Sequence, residues 1–165
     1  DAPIRNFDTN KRTAVISIGV TEVTAFQHSI GKDLDNSLNF IIPKNASGND
    51  ISGVAKELRN YDQIIVAIHD TRKRPAAALD YDSSLKVFIA ELARMNNSII
   101  AVFANPYTIA GIPGIEACKS IIMNYQNSDE AQKATARVIT GKLKAEGRLP
   151  VSINSFFHTG DGIRR

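Results

Sequence analysis

A single cysteine, Cys118, stands among 165 residues, so an internal disulfide is excluded. It follows Glu116-Ala117 and precedes an apolar run, which reads as a buried, inert thiol rather than a reactive one. Apolar stretches of the roughly 18 residues that a membrane helix needs are missing, so no membrane span is expected. No secretory leader is visible, and a fold without disulfides suits the cytosol and the periplasm alike. A strong charge of one sign is missing too. The net charge is +3, and aromatic residues are not interleaved with the basic ones, so nucleic acid is not an expected partner.

The common site motifs are also absent. There is no GxGxxG and no GxSxG. "GNDISG" spaces Gly48 and Gly53 like a phosphate loop, but Val54 and Ala55 stand where Lys and Ser/Thr are required. His28, His69 and His158 are far apart and have no cysteine partners, so no metal site is expected. No cofactor is expected either, and spacing alone yields no self-contained active site.

What is present is an ordinary globular composition, 43% hydrophobic and 22% charged. A chain of this length buries about 70% of its unfolded surface and holds one core. Apolar runs at 13–18, 37–42, 63–68, 98–103 and 120–125 read as strands, the third apolar enough to be covered on both faces. Between them lie helical patterns. One runs from about Glu22 to Ile30 and is closed by Gly31. A second is capped by Asp50, with Ile51, Val54 and Leu58 on one face. A third starts at Asp80 or Asp82 and buries Leu85, Phe88, Ile89, Leu92 and Met95. The last opens at Asn127 or Ser128, where Asn127 and Glu130 have capping-box spacing, and it buries Val138, Ile139 and Leu143. It is expected to end at Gly147, with Pro150 preventing continuation and Val151–Ile153 forming a short edge strand. This alternation argues an α/β fold, a three-layer α/β/α sandwich with a mostly parallel, flavodoxin-like sheet. The expected boundaries are a linker end at 1–12, one domain at 13–153 and a tail at 154–165. The start at Asp1 rather than Met is read as processing or excision from a longer protein.

In such sheets ligands gather at the carboxyl ends of the strands. "HDTRKRP", His69 to Pro75, is the most polar of these ends. His69 and Asp70 are adjacent and point opposite ways on extended backbone, so they make a poor acid–base dyad. Arg72, Lys73 and Arg74 offer cations to an anion or to a partner's carboxylates; the plainer reading is a solvated loop in which Asp70 fixes a turn. "ANPYTIAGIPG", Ala104 to Gly114, is stiffened by two prolines and holds Asn105 extended before Pro106. It is either a crossover packed on the sheet end or the wall of a shared site.

The stretch "FANPYTIAGIPGIEACKSIIMNYQNSDEAQKATARVITGKLKAEGRLPVSI" resembles the C-terminal α/β-sandwich domain of glycoside hydrolase family 3. Three marks carry the likeness: Asn105-Pro106-Tyr107 after a strand, a tyrosine-ending strand followed by Asn127 to Ala131 and its helix, and the exit Gly147-Arg148-Leu149-Pro150-Val151. The "HDTRK" loop is similar to the bacterial β-N-acetylhexosaminidase branch. The likeness extends from about Ala14 to Ile153 and is stronger after residue 99.

The resemblance implies an accessory domain that supports a preceding barrel domain of the same parent chain and shapes a carbohydrate site shared with it. In this family the nucleophilic aspartate lies on the barrel, and retaining hydrolysis needs two carboxyl groups about 5 Å apart. Glu22 and Glu116 are the only glutamates expected on strand-end loops, and neither matches the family's catalytic glutamate, so no catalytic residue is assigned and the isolated domain is expected to be inactive. His69, Asp70, Arg72, Asn105 and Tyr107 are the candidates for the substrate site or the interface. A homodimer through exposed apolar surface, and a periplasmic or cell-surface parent, are further expectations. The alternatives are a stand-alone sugar- or anion-binding module and a purely structural interaction domain.

Overall fold

The computed structural model describes residues 7–74 and 76–163. The expected linker's first six residues, Pro75 and the last two residues of the tail lie outside that range.

Five strands form one sheet: β1 (Thr13–Ile18), β2 (Ser37–Ile42), β3 (Gln63–His69), β4 (Ser98–Phe103) and β5 (Ile121–Asn124). Their order is β2-β1-β3-β4-β5 and every neighbouring pair is parallel. β1, β3 and β4 are buried along their whole length, which is why they read as unbroken apolar runs rather than alternating ones. Helices α1 (Ala25–Asp33) and α4 (Asp129–Ile139) cover one face. There Phe26, Ile30, Ala136 and Ile139 pack on Val15, Ile65, Ala67 and Phe103, and Phe7 adds itself to their edge. Helices α2 (Gly48–Glu57) and α3 (Ser83–Ala93) cover the other, where Ile51, Leu85, Phe88 and Ile89 meet Ile16, Ile64, Val66 and Ile68. Each fully buried Ile, Leu or Phe side chain contributes about 1.5–3 kcal/mol, so two such clusters hold the sandwich without a covalent staple. The thiol of Cys118 is buried at the edge of the second cluster, and that burial pushes it up from its ordinary range.

Local capping departs from the sequence expectations at several helix ends. α1 starts at Ala25, later than expected, because Thr24 and Gln27 form a reciprocal capping box. It runs through Gly31 to Asp33 and is capped at Leu34, so Gly31 is not its cap. α2 is capped by Ser47 rather than Asp50; Asp50 answers from the third helical position, accepting from the Ser47 N–H. Of the two openings expected for α4, Ser128 is the cap, accepting from Ala131 N–H, and the capping-box spacing of Asn127 and Glu130 is not used. In each case a hydroxyl close to the backbone takes the cap. Met95 lies beyond α3 and is 38% exposed.

The exit of α4 is also different. The helix closes at Gly141, whose φ is 77°. The Lys142 N–H reaches the Arg137 carbonyl at 2.8 Å and the Gly141 N–H reaches that of Val138 at 3.2 Å, the paired bonds of a Schellman motif. Gly147 therefore ends no helix, and Leu143 is exposed beyond the last turn. Val151–Ile153 forms no strand. Its neighbourhood bonds to the tail instead: Leu149 N–H to Asp161 O and Gly160 N–H to Leu149 O, both 2.7 Å, and Ile153 N–H to Phe157 O at 2.9 Å. Arg148 holds this fold-back through the Gly160 carbonyl. Phe157 packs against the core, while Phe156 is exposed.

Candidate functional site

The chain leaves β1 toward β2 and then crosses back over β1 to β3, so successive connections diverge between β1 and β3. In a parallel sheet that divergence opens a crevice at the carboxyl ends. Here its volume is about 740 Å³, and it is walled by the β1–α1 turn from Gly19 to Ala25, by Pro43 to Asn45, and by His69, Thr71, Asn127 and Gln132.

Its floor is fixed by Gly19 and Tyr81. Tyr81 is buried, and its hydroxyl lies 2.9 Å from the Ile18 carbonyl and 2.6 Å from that of His69, bridging the ends of β1 and β3. Burial pushes this phenol far above its ordinary range, so it remains a donor. Gly19, which lines the crevice, passes against it with φ 91°. A Cβ there would overlap the Tyr81 hydroxyl and stand 2.6 Å from the His69 carbonyl oxygen.

Above the floor runs a connected polar network. His69 Nδ1 is 2.9 Å from Asn127 Oδ1, and Nε2 is 3.3 Å from Ser17 Oγ. Asn127 Oδ1 also accepts from Gln132 Nε2, while Asn127 Nδ2 donates to the Asp70 carbonyl. The oxygen therefore faces the ring, Nδ1 carries the proton and Nε2 accepts from Ser17. Burial holds the imidazole below its ordinary pKa of 6.5, against the opposing pull of Asn127. The ring stacks on Phe103 with centroids 5.0 Å apart. Ser17 Oγ continues to Thr24 Oγ1 at 3.2 Å, and Gln132 Oε1 accepts from Phe26 N–H at 3.1 Å. The ends of β1 and β3 and the starts of α1 and α4 are thus joined by side chains whose groups are satisfied.

Asp70 turns the other way, as extended backbone requires. Its carboxylate, 1% exposed, binds the Arg72 guanidinium through two contacts, 2.8 and 2.7 Å, and accepts from the Arg72 N–H. That pairing holds Asp70 below the usual carboxylate range and raises Arg72. Arg72 also donates to the Ala78 carbonyl and lies 3.8 Å from Asp80, which Lys44 grips at 2.6 Å. Arg72 is therefore engaged within its own loop, and Lys73 and Arg74 are the cations it leaves exposed.

Asn105 and Tyr107 stand at the neighbouring end of β4, outside the crevice wall. Asn105 Oδ1 accepts from Tyr107 N–H at 3.0 Å and begins a 3₁₀ turn, Pro106–Gly111, leaving the Tyr107 ring 43% exposed. The rest of this crossover packs down through Ile109, Ile112 and Ile115. Of the sequence candidates, only His69 lines the crevice; Asp70 and Arg72 brace the adjoining loop. Asn127 was read from sequence as a helix cap rather than as a site residue, and Gln132, Ser17, Thr24 and Tyr81 were not singled out; the one signal available was the polarity of Asn127 and Gln132 around a helix start. Glu22 and Asp129 stand exposed on the rim, and Glu116 is exposed elsewhere. Among the described residues no cluster of His, Cys, Asp and Glu could hold a metal, and no helix is long and apolar enough to cross a membrane.

The solved structure of a glycoside hydrolase family 3 beta-N-acetylglucosaminidase from Paenibacillus sp. str. FPU-7 is similar, with a TM-score of 0.69 and 18% identity over 89% of this chain. The match spans 28% of that structure's length, and at such low identity it speaks for the fold alone. No curated protein sequence matches significantly. The sequence model of the glycosyl hydrolase family 3 C-terminal domain matches residues 7–159. With that match over nearly all of a 2-1-3-4-5 parallel sandwich, the chain belongs to the glycosyl hydrolase family 3 C-terminal domain family.

Proposed function

We propose that this chain is the accessory domain of a glycosidase acting on β-linked N-acetylhexosaminides, that it rests against a preceding barrel domain, and that its strand ends shape the sugar site while the barrel holds the nucleophile. The observation that carries the reading is the switch-point crevice. It offers hydroxyl and amide groups on a floor made rigid by Tyr81 and the His69–Asn127 network, which suits a polyhydroxylated ligand. Its rim carboxylates, Glu22 and Asp129, are exposed. The sugar class is supported by the "HDTRK" loop.

Asp70 and Arg72 act in this reading by bracing the loop, and Asn105 by presenting Tyr107 to the sugar. The test is hydrolysis of a chromogenic β-N-acetylglucosaminide by this chain alone and by the chain joined to its barrel. Turnover only by the joined protein is expected. Turnover by the chain alone would overturn the reading, because a catalytic carboxylate pair would then lie within these residues.

A further inference from the structure

Among the described residues the outer edge of β2 has no strand beside it, and we propose that a second copy of this chain docks there, its own β2 running antiparallel about a two-fold axis, so that the sheet of one copy continues into that of the other. This goes beyond the accessory role and does not depend on it.

The backbone sets which groups are available. The Thr13 N–H donates to the Asn36 carbonyl and the Gly19 N–H to the Ile42 carbonyl, so even-numbered residues of β2 face β1. Main-chain groups of Ser37, Asn39 and Ile41 point outward by alternation. The Ser37 N–H is already taken by Leu34. Among the described residues nothing on the main chain pairs with the other outward groups.

Natural sheet edges are usually blunted by charge, proline or a bulge. "SLNFII" has neither charge nor proline, pairs with β1 without interruption, and leaves Leu38 54% exposed. The opposite edge is different, because the tail from Lys144 to Ile163 lines a groove beside β5 and stands in the way of another sheet.

Symmetry and charge then select the occupant. A two-fold axis normal to the sheet at Asn39 pairs Asn39 with the partner's Asn39 and Ile41 with the partner's Ser37, so each Asn39 N–H and each Ile41 N–H finds a carbonyl. Leu38 falls opposite the partner's Phe40 in a non-hydrogen-bonded pair, where Cα atoms are only about 4.5 Å apart, and its exposed side chain is covered. The flanks are compatible as well: exposed Asp35 precedes the strand, and Lys44, which holds Asp80 at 2.6 Å yet stays half exposed, follows it, so an antiparallel copy brings each Asp35 carboxylate toward the donors that the other's ammonium has left. A strand of this length spans about 20 Å, which makes a small interface of the weak class.

The experiment is sedimentation equilibrium of this chain up to about 1 mM, with Leu38→Lys, Asn39→Pro and, as a control, Val87→Lys at another exposed apolar position. Thermal melts establish that each variant is folded. Asn39→Pro removes no hydrogen bond to β1, because the Asn39 N–H points outward, so a variant that keeps its fold still tests the contact if Leu38→Lys does not. We expect a dimer with Kd of order 10 µM, weakened at least tenfold by Leu38→Lys and by Asn39→Pro and unchanged by Val87→Lys. A monomer throughout would overturn the proposal. So would a dimer that ignores both β2 changes, or one lost with Leu143→Lys beyond α4 instead. If the Asn39 and Ile41 amides are protected from exchange only in a monomeric protein joined to its barrel, the edge belongs to that domain and the proposal fails.

Discussion

The Nδ1–H of His69 donates to Asn127 Oδ1 at 2.9 Å, tying the end of β3 to the residue just before the capped start of α4. In the neutral ring Nε2 accepts from Ser17; protonation would remove that acceptor and charge a buried group, while the Asn127 bond would survive it. Burial lowers the folded-state pKa below 6.5, so below that pH the unfolded chain binds a proton that the folded chain resists. The contribution of His69 is fully present above about pH 6.5 and is lost as pH falls toward the lowered value. Urea melts from pH 7.5 to 5 should show declining stability over the lower half of that range. His69→Gln should be less stable at pH 7.5 but flatter with pH. A wild-type profile no steeper than that of the variant would refute the assignment.

Asp70 and Arg72 make a pair of unequal burial, with side chains 1% and 25% exposed. Removing the cation leaves a buried carboxylate with one main-chain donor; removing the carboxylate leaves a guanidinium that reaches water and the Ala78 carbonyl. Arg72→Ala should therefore cost more, about 3 kcal/mol, than Asp70→Asn at about 1–2 kcal/mol. The carboxyl is held low by Arg72, so its contribution is present above its unfolded pKa of about 3.9 and is lost as pH falls through the folded value. Denaturant titrations of both variants at pH 7 and 3 check the order and its narrowing in acid.

The apolar runs revealed the five strands and the three layers because burial on both faces leaves a local imprint. β1, β2 and β4 have the expected bounds. Helix ends were less legible, since Ser47 competes with Asp50, and Ser128 with Asn127, for the same cap within a few residues. The site was least legible. His69 stood out by its position after an apolar run, but its partners Ser17 and Asn127 lie 52 and 58 residues away, and no local pattern marks such a meeting. Gln27, fully buried, carried no mark in the sequence; it donates to the Val15 and Phe40 carbonyls and joins α1 to two strands. The exit "GRLPVSI" suggested an edge strand, yet the tail takes up the hydrogen bonds of Leu149 and Ile153.

Gly19 and Gly31 predict opposite outcomes for the same substitution. Gly19 has φ 91° and no room against Tyr81, so Gly19→Ala should destabilise by about 2–4 kcal/mol through strain and displacement of the hydroxyl. Gly31 lies within α1 with open space where a Cβ would stand. There alanine should stabilise by about 0.5–1 kcal/mol. Thermal melts of both variants settle the contrast, and a stabilised Gly19→Ala would mean that the Tyr81 bridge is not tight.

Tyr107 separates a binding role from a structural one. Its ring is 43% exposed, whereas the neighbours that pack the crossover, Thr108 and Ile109, are buried. Tyr107→Ala should leave the melting temperature nearly unchanged, since surface truncations cost about 0.5 kcal/mol or less. If the ring stacks on a sugar, the joined enzyme should lose affinity by about 1–2 kcal/mol, raising KM roughly tenfold with kcat little altered. Asn105→Ala tests the support for that ring, because Asn105 Oδ1 fixes the turn through the Tyr107 N–H. It should raise KM less than Tyr107→Ala and lower stability more. Equal KM values for wild type and both variants would remove the end of β4 from the sugar site and leave the crevice beside His69 as the remaining candidate.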